Sequence, residues 1–409
     1  MIPRVSGTAN NTLVQNFILD YFAKLNESSL AGEDFVIPTR PGVITGSSAA
    51  NKKRNSHAES VNKLYRRAPG VPGTGWHVEV DRFEHNTPYG PRTFTNLVFT
   101  KNPNAENRLV FAAHYDSKYF PPSDDLSKVN GGDDTLPFVA ATDSAAPCAI
   151  LLDLAASLDA ALDQPKRRSG TPEGDMETTL QIIFFDGEEA FDQWTHDDSL
   201  YGSKHLADKW LNRIVPRSRT ATGRNGGSSS NYIEGIELFV LLDLLGAEGA
   251  SIPNFFSSTQ WAHRHAMSIE KRLWEAKMHG VQIMNKRQEQ KAAGASVDEQ
   301  SEVYEDLVNR GEDDDNMDDL DDDLPVDGFL TKGEAYWGSV DDDHRPFMHL
   351  GVPIFHVIPT PFPTVWHKLT DDASAIKPDV VDGWARIFRT FTVEYLNLLK
   401  PRERRHDEL

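Results

Sequence analysis

The chain has one cysteine, Cys148, among 409 residues, so no intramolecular disulfide can form. It has no run of about 18 or more consecutive apolar residues, and nothing in it is expected to span a membrane. Basic residues are scarce: 42 Lys and Arg face 62 Asp and Glu, a net charge of -20. A nucleic-acid partner needs clustered Lys and Arg, so that class is excluded. Residues 311–327 hold ten acidic and no basic side chains, which concentrates half of the excess charge in one tail-like insertion. A basic, apolar and small-residue succession is also missing after Met1, so no signal peptide is visible.

What is present begins with a carboxylate pair. Glu188 and Glu189 end the run Leu180-Gln-Ile-Ile-Phe-Phe-Asp-Gly-Glu-Glu-Ala-Phe191, side by side where an apolar strand stops. Such a pair is costly to bury unless one member binds a cation and the other does proton chemistry. Asp143, in Ala141-Thr-Asp-Ser-Ala-Ala-Pro147, and His367, after a Pro-Phe-Pro-Thr-Val-Trp run, supply further ligands among small and apolar neighbours. One His and two carboxylates make a three-ligand zinc set with an open fourth position.

The chain is long enough to bury a large core, and the pattern predicts a single α/β domain over residues 1–400. Leu13, Phe17, Ile18, Tyr21, Phe22 and Leu25 fall at helical spacing. Trp76 to Phe83 and Thr93 to Thr100 alternate as strands of an antiparallel hairpin, with residues 40–58 a polar loop before them. Continuous apolar runs at 109–113, 180–185, 238–242 and 352–357 predict a mixed, mostly parallel twisted sheet covered by helices on both faces. Polar residues follow each run: His114 and Asp116, then Asp186 to Glu189, then Asp243, with His356 inside the last. Ligands collect at the C-terminal ends of strands in open α/β sheets, so these residues are expected to converge. Helices are read from Ser144 to Leu158, up to Leu211, and around Trp384 to Tyr395. Residues 220–231 read as a flexible loop and 285–327 as a disordered or loosely helical acidic insertion.

Residues 401–409 form a tail ending His406-Asp-Glu-Leu409. That tetrapeptide is an address for the retrieval receptor of the endoplasmic reticulum, which makes the receptor an expected partner and the lumen the expected location. Residue 1 then reads as an added start Met on a mature chain. Sequons at Asn10-Asn-Thr12 and Asn26-Glu-Ser28 suit a lumenal protein.

Six strings together resemble the glutaminyl cyclases, which share the fold of the co-catalytic zinc aminopeptidases. They are His114-Tyr-Asp-Ser-Lys-Tyr-Phe120, Ala141-Thr-Asp-Ser-Ala-Ala-Pro-Cys148, Phe184-Phe-Asp-Gly-Glu-Glu-Ala-Phe191, Asp198-Ser-Leu-Tyr-Gly-Ser203, Asp342-Asp-His-Arg-Pro-Phe347 and Pro359-Thr-Pro-Phe-Pro-Thr-Val-Trp-His367. The resemblance implies one zinc ion held by Asp143, Glu189 and His367, with Glu188 as proton shuttle. It implies Asp243 and Asp342 as further catalytic carboxylates, the triple Asp341-Asp342-Asp343 leaving the register open by one. Trp194, Phe362 and Trp366 match apolar walls of the substrate pocket, and His356 and His114 match histidines beside the site. The implied substrates are peptides and proteins with N-terminal glutamine, and a monomer is expected.

The chain departs from the family at two places. Ala113 stands where animal relatives often carry a Cys able to pair with the match of Cys148, and Asp341 replaces an amide residue, adding negative charge at the pocket rim. The rival reading is a dinuclear zinc aminopeptidase, which would use His114 and Asp243 as well. A non-catalytic lumenal protein that binds calcium through its acidic run is the rival of another class.

Overall fold

The computed structural model describes residues 1–31, 75–120, 138–163, 178–216, 229–292, 328–334 and 340–398. The expected loops at 40–58 and 220–228, the acidic segment 293–327 and the 401–409 tail lie outside the described residues.

Alternation and apolar runs in the sequence become strands largely where they are expected. The chain forms α1 (Ala9–Ala31), a hairpin of β1 (His77–Thr87) and β2 (Gly90–Thr100), then β3 (Asn107–His114), α2 (Ala146–Leu162) and β4 (Thr178–Phe185). There follow α3 (Tyr201–Leu211), β5 (Ile214–Pro216), β6 (Ser229–Asn231), β7 (Ile236–Leu242), β8 (Ile252–Asn254) and α4 (Gln260–Ala292). The last elements are β9 (Leu330–Glu334), α5 (Arg345–His349), β10 (Ile354–Val357) and α6 (Pro378–Tyr395).

Six strands make one mixed sheet in the order β1-β2-β4-β3-β7-β10. Pairs β1/β2 and β2/β4 are antiparallel, whereas β4/β3, β3/β7 and β7/β10 are parallel. Period two along β3 separates the faces: Leu109, Phe111 and Ala113 join the core beneath α1, α2, α4 and α6, while Val110 and Ala112 pack with Leu206, Trp210 and Phe347 from α3 and α5. Burial on both faces explains why these strands read as unbroken apolar runs. After β4 the chain crosses to the opposite side of β3 to form β7, so the parallel strands open their C-terminal ends on one crevice beside β3.

Some local expectations change. Leu13 and Phe17 are exposed, and α1 is anchored instead by Ile18, Tyr21, Phe22 and Leu25. Residues 229–231 are a strand, not loop, because β6 pairs with β5. Residues 285–292 continue α4. The apolar stretch Ala141–Leu162 meets a length and composition test for a membrane span. Its Leu151, Leu154, Ala155 and Leu158 are nevertheless in the core between sheet and α6, which accounts for their character.

Candidate functional site

Where β4 ends, the chain turns sharply and presents two acids. Gly187 has φ +77, and a Cβ there would lie 2.4 Å from Cδ1 of Phe94. Phe94 is wholly buried and stacked on Tyr201, so it has little room to move. Gly187→Ala is therefore expected to cost about 2–4 kcal/mol, combining a left-handed backbone penalty with overpacking. A lowered midpoint in urea unfolding checks this; an unchanged midpoint contradicts it.

Beyond the turn, the amides of Glu188 and Glu189 donate to the two oxygens of Asp116 at 3.2 and 3.3 Å. Asp116 follows β3, so the strand adjacent to β4 fixes the direction of the acidic pair. The loop after it is held by Asp198, whose carboxylate accepts the amides of Phe191, Asp192 and Gln193 and the Tyr201 hydroxyl.

Three expected ligands converge. His367 Nε2 stands 3.3 Å from Asp143 Oδ2 and 3.3 Å from Glu189 Oε1. Ligands about 2.0–2.1 Å from a tetrahedral metal are separated by about 3.3 Å, so these spacings fit a common ion. Glu189 Oε1 is also buried without a hydrogen-bond partner, as an atom kept for a cation would be. Its other oxygen faces Lys118 Nζ at 3.5 Å. Burial opposes charge on His367, but Glu189 and Asp143 outweigh it and push the imidazolium up to about 10. Trp366 stacks on the His367 ring at 4.0 Å, fixing its plane.

Asp143 lies in a turn over Ala141–Ala145 at the head of α2. The turn is held from the far side by Asp371, whose carboxylate accepts the Thr142 amide at 2.8 Å and whose carbonyl accepts the Ala141 amide at 3.0 Å.

A second group adjoins the first. His114 Nε2 is 3.0 Å from Asp143 Oδ1 and 3.3 Å from Asp243 Oδ1, while Nδ1 is 3.4 Å from Asp116. Burial disfavours its charge, yet Glu188 and the three aspartates raise its pKa well above the ordinary value. Asp243 accepts from Ser144 Oγ and from the Leu244 amide. Burial first, then Asp342 and Asp143 against relief from His114, lifts Asp243 to about 6. Glu188 is held well above the carboxylate range by burial, with Glu189, Asp342 and Asp343 adding to it and His114 opposing.

Two of the three consecutive aspartates, Asp342 and Asp343, are buried. Asp342 is buried and accepts from His356 Nε2 at 2.7 Å; Asp341 is exposed. Asp341 instead accepts the Trp194 indole N–H at 3.1 Å and pairs with Arg345 at 2.8 Å. The expected negative charge at the rim is therefore offset by a cation. Phe362 and Trp366 touch edge to face at 4.9 Å beside His367, and Trp194 and Trp366 are each about two-fifths exposed, apolar surface left open at the site. Cys148 is buried with Sγ 3.2 Å from the His114 carbonyl, next to Ala113, and burial pushes its thiol up to about 12.

Asp116 stands among the polar residues expected to converge at the strand ends, but its hold on the amides of Glu188 and Glu189 was not foreseen, nor were Asp198 and Asp371. All three act on backbone amides, which leaves no spacing pattern.

Residues 96–306 and 327–392 match Peptidase family M28. The glutaminyl-peptide cyclotransferase of Gloydius blomhoffii is 37% identical over 351 residues, covering 82% of this chain and 79% of its own. That of Bos taurus is 36% identical over 352 residues, covering 82% and 80%. The crystal structure of Macrostomum lignano glutaminyl cyclase superposes with a TM-score of 0.52 at 27% identity, over 94% of this chain and 90% of that one.

Proposed function

Since the chain belongs to Peptidase family M28, and within it to the glutaminyl-peptide cyclotransferases, we propose that it closes N-terminal glutaminyl residues of peptides and proteins to pyroglutamate with release of ammonia. The observation that carries the reading is the joint placement of the Asp143, Glu189 and His367 donors beside a buried Glu188 of raised pKa.

Those three side chains would hold a zinc ion, which supplies Lewis acidity toward the side-chain amide carbonyl. The substrate's own α-amine attacks the amide carbon, so one proton must leave that amine and one must reach the departing ammonia. Glu188 is suited to carry it, because a carboxylate with raised pKa both accepts and returns a proton near neutrality. Asp243, lifted to about 6, and Asp342, which accepts from His356, would share protons with it. Trp194, Phe362 and Trp366 would fold the glutamine side chain back on its amine, the step in which an enzyme gains most when nucleophile and electrophile are one residue.

His114, Asp143 and Asp243 form a second donor group, the feature a two-metal aminopeptidase would use. Asp143 belongs to both groups, and Asp243 already accepts from Ser144 Oγ and the Leu244 amide, so a single ion at Asp143, Glu189 and His367 leaves His114 and Asp243 paired with each other at 3.3 Å. The reading proposed is therefore one ion per chain, which metal analysis of the purified protein checks.

Ammonia release should be measured with a Gln-initiated peptide and with the same peptide N-acetylated. The proposal expects ammonia from the first and none from the second, whose nucleophile is blocked. Equal release from both would make the protein an amidase and overturn it.

A further inference from the structure

The segment before α1 enters the site from behind, and its Arg4 is 4% exposed. The guanidinium donates to four main-chain carbonyls: Nε to Tyr115 at 2.6 Å, Nη1 to Val139, and Nη2 to Ala140 at 2.9 Å and Asp143 at 3.3 Å. Its own amide donates to Ser117 Oγ at 2.9 Å, and its carbonyl accepts from Asn11 Nδ2 at 3.0 Å. Ser6 and Asn11 in turn donate to Asp186 Oδ1 at 2.7 and 3.1 Å, two residues before Glu188. One short strap thus grips both the loop that carries Asp143 and the turn that carries the acidic pair.

The Asp143 loop needs such a grip. Ala140 is left-handed at φ 45 and Asp143 and Ser144 have non-helical angles, and the loop's own closures are two, the Ala145 amide to the Ala140 carbonyl at 3.4 Å and the Ala146 amide to the Ala141 carbonyl. Further hold comes from outside the loop: the carbonyls of Val139, Ala140 and Asp143 accept from Arg4, and the amides at 141 and 142 donate to Asp371. A guanidinium offers five N–H groups in a planar fork, whereas an ammonium offers three from one point and cannot span carbonyls spread around a plane. The match to Peptidase family M28 begins at residue 96, so this grip is supplied from outside the matched region.

We propose that Arg4 is a positioning residue for the metal site: from the N-terminal strap it fixes the backbone of residues 139–143 and so the placement of the Asp143 carboxylate. The inference rests on the ligand set proposed above. Its effect is on metal affinity and on the geometry around the metal, more than on substrate binding.

The test uses full-length wild-type, R4K, R4A and H367A proteins, stripped of metal and titrated with zinc against a chromophoric chelator, then with cobalt(II) for its visible spectrum. R4K keeps the charge and is expected to retain wild-type circular dichroism. Its zinc affinity should fall about ten- to a hundred-fold, the usual cost of losing a group that orients a ligand, and its cobalt spectrum should change. In the metal-loaded form kcat should drop with little change in KM. R4A should show the same effects more strongly; should it fail to fold, R4K decides. Wild-type affinity and an unchanged cobalt spectrum in R4K, with only thermal stability lowered, would overturn the inference while H367A, having lost zinc, left the ligand set intact. Zinc bound as tightly by H367A as by wild type would overturn the ligand set and the inference with it.

Discussion

Replacing Glu188 by glutamine is expected to lower kcat by about 10²- to 10⁴-fold, the range general acid–base groups supply, with KM and the unfolding midpoint little changed. The substitution keeps the shape of the side chain and the hydrogen bond from the backbone amide of residue 188 to Asp116, and removes only the ability to take and return a proton. The pH dependence has a defined sign. Burial and the neighbouring carboxylates raise the Glu188 pKa, so the working carboxylate is lost as pH falls through a value above the ordinary range. The acid limb of the kcat/KM profile should therefore lie above that range and disappear in the variant. Asp342→Asn removes one of the like charges and should move the limb to lower pH. Steady-state rates across pH check both, and an unmoved limb in both variants would assign it to another group.

Removing the metal with a chelator should abolish activity, and zinc should restore it. Loss of a ligand in His367→Ala should weaken zinc binding by more than the roughly 10–100-fold that follows loss of an outer partner. The imidazolium offers a further signature. Its pKa of about 10 before metal binding means that zinc must displace a proton at pH 7, so the apparent association constant should rise roughly tenfold per pH unit toward 9. Calorimetry in buffers of different ionisation enthalpy measures that proton directly. Proton release and zinc affinity both unchanged in His367→Ala would remove His367 from the ligand set.

Much of the architecture was legible because burial on two faces leaves unbroken apolar runs. Residues 109–113, 180–185 and 238–242 became β3, β4 and β7, and their terminal residues gathered where a parallel sheet directs them. The antiparallel attachment of β2 to β4 was not legible, since pairing partners distant in sequence leave no local period. At the site, Glu188, Glu189, Asp143 and His367 stood out as polar residues in apolar or small-residue contexts. The register of Asp341, Asp342 and Asp343 was not legible, because three consecutive aspartates look alike in sequence; in the fold Asp342 is buried on His356, Asp343 is buried as well and Asp341 is exposed beside Trp194. Arg4 left no signal at all: its partners are main-chain carbonyls more than a hundred residues away. Asp341 stands exposed beside Trp194 as its place in the sequence suggests, and its pairing with Arg345 is what the sequence did not show.

The most direct measurement is the mass spectrum of a Gln-initiated peptide after incubation with the zinc-loaded protein. Cyclisation predicts a product lighter by one ammonia with every residue retained. A peptide shortened by its first residue would contradict the account and make the protein an aminopeptidase on the same scaffold.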